Sequence, residues 1–292
     1  MSHNYFIFYQ IFAAFFLASA CTIARAAEEA EPQKTLFLWN STAEIQGGPP
    51  TLDEPLASDR PDFTEASCTV GRGRVQLEMG YTYVHDAAGP GSVSEHSFPE
   101  MLWRVGMLAE WFELRIAYNH GAEITRTAGL PDDVIRGSRD LYLGVKLGLT
   151  PQQGWLPEMA LVPQMLVPTG DPEFSSEKTL PGLNWLYGWD LNEFLSLAGS
   201  TQWNQNVDGT EQYSSFAQSV TIGYTFTEKL GGYTEWFGIM PHDANDVLPE
   251  YYFDGGLTYR FSNNLQGDIR AGVGLNDSAA DYFIGSGLVK RW

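Results

Sequence analysis

The residues of this chain best suited to hold a metal are its histidines. His85, His96 and His120 each fall near the end of an extended segment, and His242 stands apart. Imidazole nitrogens suit zinc, copper or nickel. Long stretches separate these three, and their spacing matches no metal motif, so no metal site and no cofactor are expected. Hydrolysis would need a serine, a histidine within hydrogen-bond reach and a third group to orient it. Serines stand near His96 and His120, but no motif singles one out. No catalytic residue is assigned, and the chain is not read as an enzyme.

The charged residues make a more regular pattern. Arg74, Glu78, Arg104, Glu113, Arg115, Asp140, Lys146, Asp254, Arg260, Asp268 and Arg270 recur on the polar side of alternating segments. A face of mixed sign can hold a wall together through ion pairs, or line a constriction that selects what passes. The mixture argues against a strongly anion- or cation-selective pore. A tight turn at 108–109 would set Arg104 opposite Glu113.

The elements that must carry these charges are strands. In "GRVQLEMGYTYVHD" (73–86), Val75, Leu77, Met79, Tyr81 and Tyr83 alternate with Arg74, Gln76, Glu78, Gly80 and Thr82. Successive strand side chains face opposite ways, so one face is oily and the other wet. Similar segments recur at about 98–107, 110–119, 138–149, 156–167, 183–191, 194–204, 213–226, 230–240, 250–261, 264–275 and 281–292. Connections alternate between long (86–97, 120–137, 168–182, 205–212, 241–249) and short (108–109, 150–155, 192–193, 227–229, 262–263). Membrane barrels have this asymmetry, with an oily outer face and a polar lumen. Trp111, Trp155, Phe194, Phe226, Phe261 and Trp292 collect near the short turns, where a membrane-interface girdle belongs. The expected fold is therefore all-β, an antiparallel up-and-down transmembrane barrel of about twelve strands. The rival reading is an exported soluble or lipid-anchored β-protein that binds a small ligand. Tyr142, Trp185, Tyr187, Trp189, Trp236 and Phe237 fall on uncertain faces and could line a path for aromatic solutes.

Composition agrees. The chain is 14% aromatic, only 18% charged, and carries a formal charge of -19. That balance gives no reason to bind nucleic acid. Beyond the N-terminus no stretch offers the ~20 apolar residues of a membrane helix. Residues 1–26 read as an export signal, with a small-x-small cleavage site at Ala24, Arg25 and Ala26. "LASAC", ending at Cys21, offers lipoprotein processing as an alternative. Cleavage after Ala26 would leave Cys68 as the lone cysteine and allow no intramolecular disulfide. Residues 27–72 read as an irregular periplasmic arm and 73–292 as the barrel.

The segment "SDRPDFTEASCTVGRGRVQLEMGYTYVHD" (58–86) resembles the MetA-pathway phenol-degradation, or transporter, family of bacterial outer-membrane proteins. The resemblance rests on Asp59, Arg60, Pro61, Asp62, Phe63, Thr64 and Glu65, then Gly71 to Gly73, then Val75 to Tyr81. It implies a barrel in the outer membrane that passes small molecules, aromatic or otherwise hydrophobic. The implied partners are outer-membrane lipid, the outer-membrane assembly machinery and a small-molecule permeant. The charged "DRPD" core suits a polar lumen better than lipid, and Pro61 stiffens it. Burial of such charges is tolerable only when they are paired. Residues 53–66 read either as a solvated linker or, as expected here, as a segment that folds back, meets charges such as Arg74 and Arg104, and partly plugs the barrel.

Overall fold

Alternation along the chain produces thirteen β-strands, and no helix, among the described residues of a computed structural model. Those residues are 35–37, 47–87, 91–209, 211–244 and 246–292. The expected export signal at 1–26, and most of the arm before residue 47, lie outside them. In chain order the strands are β1 (Val75–Asp86), β2 (Gly91–Gly106), β3 (Phe112–Thr127), β4 (Asp133–Ser138) and β5 (Leu141–Thr150). Then follow β6 (Glu158–Val167), β7 (Leu180–Asp190), β8 (Leu195–Asp208) and β9 (Glu211–Thr225). Last come β10 (Leu230–His242), β11 (Glu250–Ser262), β12 (Leu265–Gly274) and β13 (Tyr282–Arg291).

All pairings between strands are antiparallel, and β1 pairs with both β2 and β13, so the sheet closes on itself. β4 and β5 both pair with β3, one beyond the other along its length. They are two parts of one stave, interrupted at Arg139 and Asp140. The thirteen strands thus make a closed barrel of twelve staves. Trp292 N–H donates to the Val75 carbonyl at 2.8 Å and Val75 N–H to the Trp292 carbonyl at 3.1 Å, which ties the two ends of the sheet at one mouth.

Burial runs opposite to that of a soluble protein. Ile269 is 57% exposed, Ile284 48% and Val220 45%, whereas Arg104, Glu113 and Lys146 are 0% exposed. The alternating segments therefore point their apolar side outward and their charges into the lumen, the arrangement of a barrel that meets lipid. An aqueous exterior would leave this apolar belt without a partner.

The loops depart from expectation. Strands β2 and β3 start or end well beyond 98 and 119, and β4 occupies part of the expected loop 120–137. The connection between β8 and β9 shrinks to 209–210, and only 168–179 is distinctly long. The length alternation is therefore much weaker than the sequence suggests. Beyond the apolar belt a strand's outer face need not be oily, so segments such as "GSVSEHS" lose the signature that marks strands in the sequence. The turn before β3 spans 107–111, and the register sets Arg104 opposite Arg115, with Glu113 opposite Gly106. Arg104 and Glu113 still meet, diagonally rather than face to face.

Five of the six aromatics expected in the girdle stand exposed at the short-turn mouth, and Trp111 is partly buried. Trp155, Phe194, Phe226, Phe261 and Trp292 are all more than half exposed there. The Lys290 ammonium lies 5.9 Å from the Trp292 ring centroid, so the one lysine on this outward stripe sits over an aromatic face.

Candidate functional site

The chain enters the lumen from the mouth where its ends meet. Gly71 and Gly73 adopt left-handed φ values of 84° and 76°, which glycine alone takes up freely, and this turns the arm into β1. At Gly106 a side chain would collide with the Gly71 carbonyl, so the close approach of arm to wall needs glycine there.

Beyond this turn, Asp59 meets three cations from three strands. Its Oδ1 accepts from Lys146 Nζ at 2.8 Å and lies 3.2 Å from Arg104 Nη1, and its Oδ2 accepts from Arg115 Nη1 at 2.5 Å. Arg104 also donates from Nε to Glu113 Oε1 (2.8 Å), from Nη2 to Glu113 Oε2 (3.0 Å) and from Nη1 to Glu78 Oε1 (3.1 Å). Arg115 Nη2 lies 3.1 Å from Glu65 Oε2. Each cation is matched by acids, as burial requires. Burial alone would raise the Asp59 carboxyl, but Arg104, Arg115 and Lys146 outweigh it and hold it well below the usual carboxylate range.

Arg60 points the other way. Its Nη1 donates to Glu100 at 2.9 Å, and its Nη2 donates to Asp268 at 3.3 Å and to the Ser286 carbonyl at 3.1 Å. The guanidinium lies on Gly80 and Gly287, where any side chain would overlap it. Glu235 of β10 then accepts the backbone N–H of Phe63 (2.5 Å) and Thr64 (2.9 Å), and the Thr64 hydroxyl (2.6 Å). The Phe63 ring stacks on Phe237 with centroids 4.4 Å apart, and Tyr252 and Phe283 complete that cluster. Arg270 donates to the Pro61 carbonyl at 2.9 Å. Asp62, by contrast, has acids for neighbours: burial, then Glu235, Asp254 and Asp59, push its carboxyl well above the ordinary value. Burial likewise raises Glu65, although Arg115 opposes it. Burial, with Glu158 nearby, pushes the Cys68 thiol up to about 12.

The other charges have separate partners. Arg74 donates to the Pro50 carbonyl at 2.9 Å near the mouth. Tyr233 donates to Asp254 at 2.6 Å, and Arg260 donates to the Glu228 carbonyl at the short turn between β9 and β10. Asp140 faces loop 168–179, accepting from the N–H groups of Thr169, Gly170 and Ser176. The aromatics of uncertain face divide. Tyr142 and Phe237 point inward, whereas Trp185, Tyr187, Trp189 and Trp236 share the outward face of their strands. No group of His, Cys, Asp and Glu suited to a metal occurs among the described residues. Three anchors of the arm were absent from the sequence reading: Glu235, Glu158, which binds Ser67 and the Gly48 N–H, and Arg291, which binds the carbonyls of Pro50, Thr51 and Glu54. Strict alternation along β6, β10 and β13 would have pointed all three inward; the aromatics on both faces of β10 hid Glu235.

Residues 58–292, well over half of the chain, match the family described as "Putative MetA-pathway of phenol degradation". The chain belongs to this family. No curated protein matches it. Among solved structures, it resembles the COG4313 outer membrane channel from Pseudomonas putida F1 at 14% identity, with a TM-score of 0.59 over 80% of this chain and 99% of that one. The translocator domain of the autotransporter NalP from Neisseria meningitidis is 10% identical, with a TM-score of 0.49 over 75% of this chain and 88% of that one. The family member described here thus shares its barrel fold with an outer-membrane channel.

Proposed function

We propose that this protein is a passive channel of the bacterial outer membrane, without enzymatic activity, whose lumen is closed in this conformation by residues 53–66 and their flanks. The observation that carries the reading is the Asp59 cluster: one carboxylate of the arm engages three wall cations inside a barrel whose outer face is apolar. Charges so placed hold the arm in the lumen and narrow any path through it. Deletion of residues 53–66 should raise single-channel conductance in planar bilayers while the barrel still shows heat-modifiable migration on a gel. Unchanged conductance from a folded deletion variant would return the arm to a plain linker. Release of the intact chain into the soluble periplasmic fraction would instead favour the soluble ligand-binding reading.

The permeant class is small aromatic or hydrophobic molecules. Phe237, Tyr252 and Phe283 present an apolar surface on the lumen side, already occupied by the stacked ring of Phe63. Such a surface favours flat apolar solutes over sugars. Liposome swelling with phenolics, amino acids and sugars tests this, and faster entry of sugars than of phenolics would overturn it.

A further inference from the structure

The strands β1 to β4 rise past the apolar belt, and their two faces differ in charge. Alternation and register place Arg126, Arg136, His85, His96 and His120 on the outer face. Arg126 and Arg136 are exposed. On the inner face of the same extension stand Asp86, Glu95, Glu123 and Asp133. No acidic side chain of β1 to β4 points outward among the described residues. Two loop acids flank this face: Asp132, which meets Arg126 at 3.1 Å with both side chains about half exposed, and Asp171, which accepts from the Ser138 N–H at 2.7 Å and its hydroxyl at 3.1 Å, opposite His120. In a chain of net charge -19, five basic or imidazole side chains gathered on one outer face are unexpected.

Their height is informative. A tilted strand climbs about 2.5 Å along the barrel axis per residue, and the apolar band of such barrels is about 25 Å tall. From Phe112, beside the girdle, the outward series on β3 runs through Leu114, Ile116 and Tyr118 to His120, Ala122, Ile124 and Arg126. Arg136 lies beside Ala122, so it stands about 25 Å above Phe112, at the edge of the band. Arg126 stands about 10 Å higher, in the polar zone. Below them, Tyr81 bonds to His96 at 2.8 Å and Tyr118 to His120 at 2.7 Å. Hydroxyl and imidazole thus pair off at the boundary, where amphipathic rings are at home.

We infer that this outer face of β1 to β4 docks the phosphorylated sugar headgroups of the outer leaflet, with Arg126 and Arg136 as the phosphate-binding side chains. The inference rests on the outer-membrane reading above. Guanidinium matches phosphate in two-pronged geometry, and two such groups at headgroup height give a patch complementary to a bisphosphorylated saccharolipid. The inward acids are turned away from the lipid, so they do not repel it.

The test uses the full chain in detergent micelles, with bisphosphorylated lipid A as the probe and its dephosphorylated form as control. Heat-modifiable gel mobility reads the unfolding midpoint. Lipid A at about a hundredfold its dissociation constant should raise that midpoint by roughly 5 °C. The dephosphorylated lipid, or inorganic phosphate at equal concentration, should not. The double variant R126Q/R136Q should fold with the same midpoint in detergent alone and lose most of the lipid A shift. An equal shift from dephosphorylated lipid, from inorganic phosphate or in the variant overturns the inference. A chain that fractionates as a soluble protein would instead sink the outer-membrane reading beneath it, so the two failures differ.

Discussion

Asp59 concentrates the docking of the arm because three wall cations converge on its two oxygens. Removing one partner from such a buried network costs about 3–5 kcal/mol, since the charges left behind stay desolvated. Asp59→Asn is therefore expected to loosen the arm strongly. Cys68 supplies the readout. Its thiol, pushed up to about 12 by burial from an ordinary value of 9, should alkylate about a thousandfold more slowly at pH 8 than a free cysteine. In the Asp59→Asn protein that rate should rise, and an unchanged rate would remove Asp59 as the anchor. Part of this residue scale was readable in advance: Arg104, Glu113 and Lys146 stand where alternation places them, while the "DRPD" core, which no alternation governs, was expected in the lumen from its charge alone. Glu235 was not readable, because aromatics on both faces of β10 obscured its side, and Arg291 was not, because its partners are carbonyl groups of the arm. A sequence does not show where an irregular segment will present its main chain.

Strand positions were legible wherever one face meets lipid and the other does not, although aromatics on both faces of β7 and β10 left the orientation of those two open. The extensions of β2 and β3 and the separate strand β4 were not legible, because their outer faces rise into polar surroundings. β5 offers a direct check of side. Val145 faces outward and Gly148 inward, three residues apart. Val145→Arg should cost on the order of 2–4 kcal/mol near the bilayer midplane. Gly148→Ala should be nearly neutral, since an added Cβ meets only ordinary contacts. Gly144 is a poorer control, because the Tyr142 hydroxyl lies against it. Urea unfolding in lipid vesicles measures both, and equal losses would contradict the inside–outside assignment.

At the scale of the whole molecule, the proposed plugging by the arm should make conductance sensitive to pH. Asp62 takes up its proton more readily in the docked arm than in a free chain, so its contribution favours docking only when it is protonated. That contribution is complete below the ordinary aspartate value and is lost as pH rises through the raised, docked value. Asp59 works in the opposite sense, but its depressed value keeps it ionised throughout that window. Acidification from neutral pH should therefore lower the conductance of the intact channel. Asp62→Asn should be tighter at neutral pH and lose most of the dependence. A conductance that rises on acidification in planar bilayers would contradict this assignment.

The cations that meet Asp59 and the acids Glu235, Asp254 and Asp268 lie on opposite sides of the ring. Arg104, Arg115 and Lys146 come from β2, β3 and β5; Glu235, Asp254 and Asp268 come from β10, β11 and β12, about half a turn away in the closed order. The arm's charges answer this layout in part: Asp59 faces the cations, while Arg60 reaches Asp268 of β12 and also Glu100 of β2. On the plug proposal, withdrawal of the arm would leave a field running across the direction of transport, partly offset by Glu78 and Glu113 among the cations and by Arg270 among the acids. A solute with a dipole would turn broadside as it passed, and ions of either sign would keep to opposite walls, so the vacated bore would sort molecules by orientation more than by net charge.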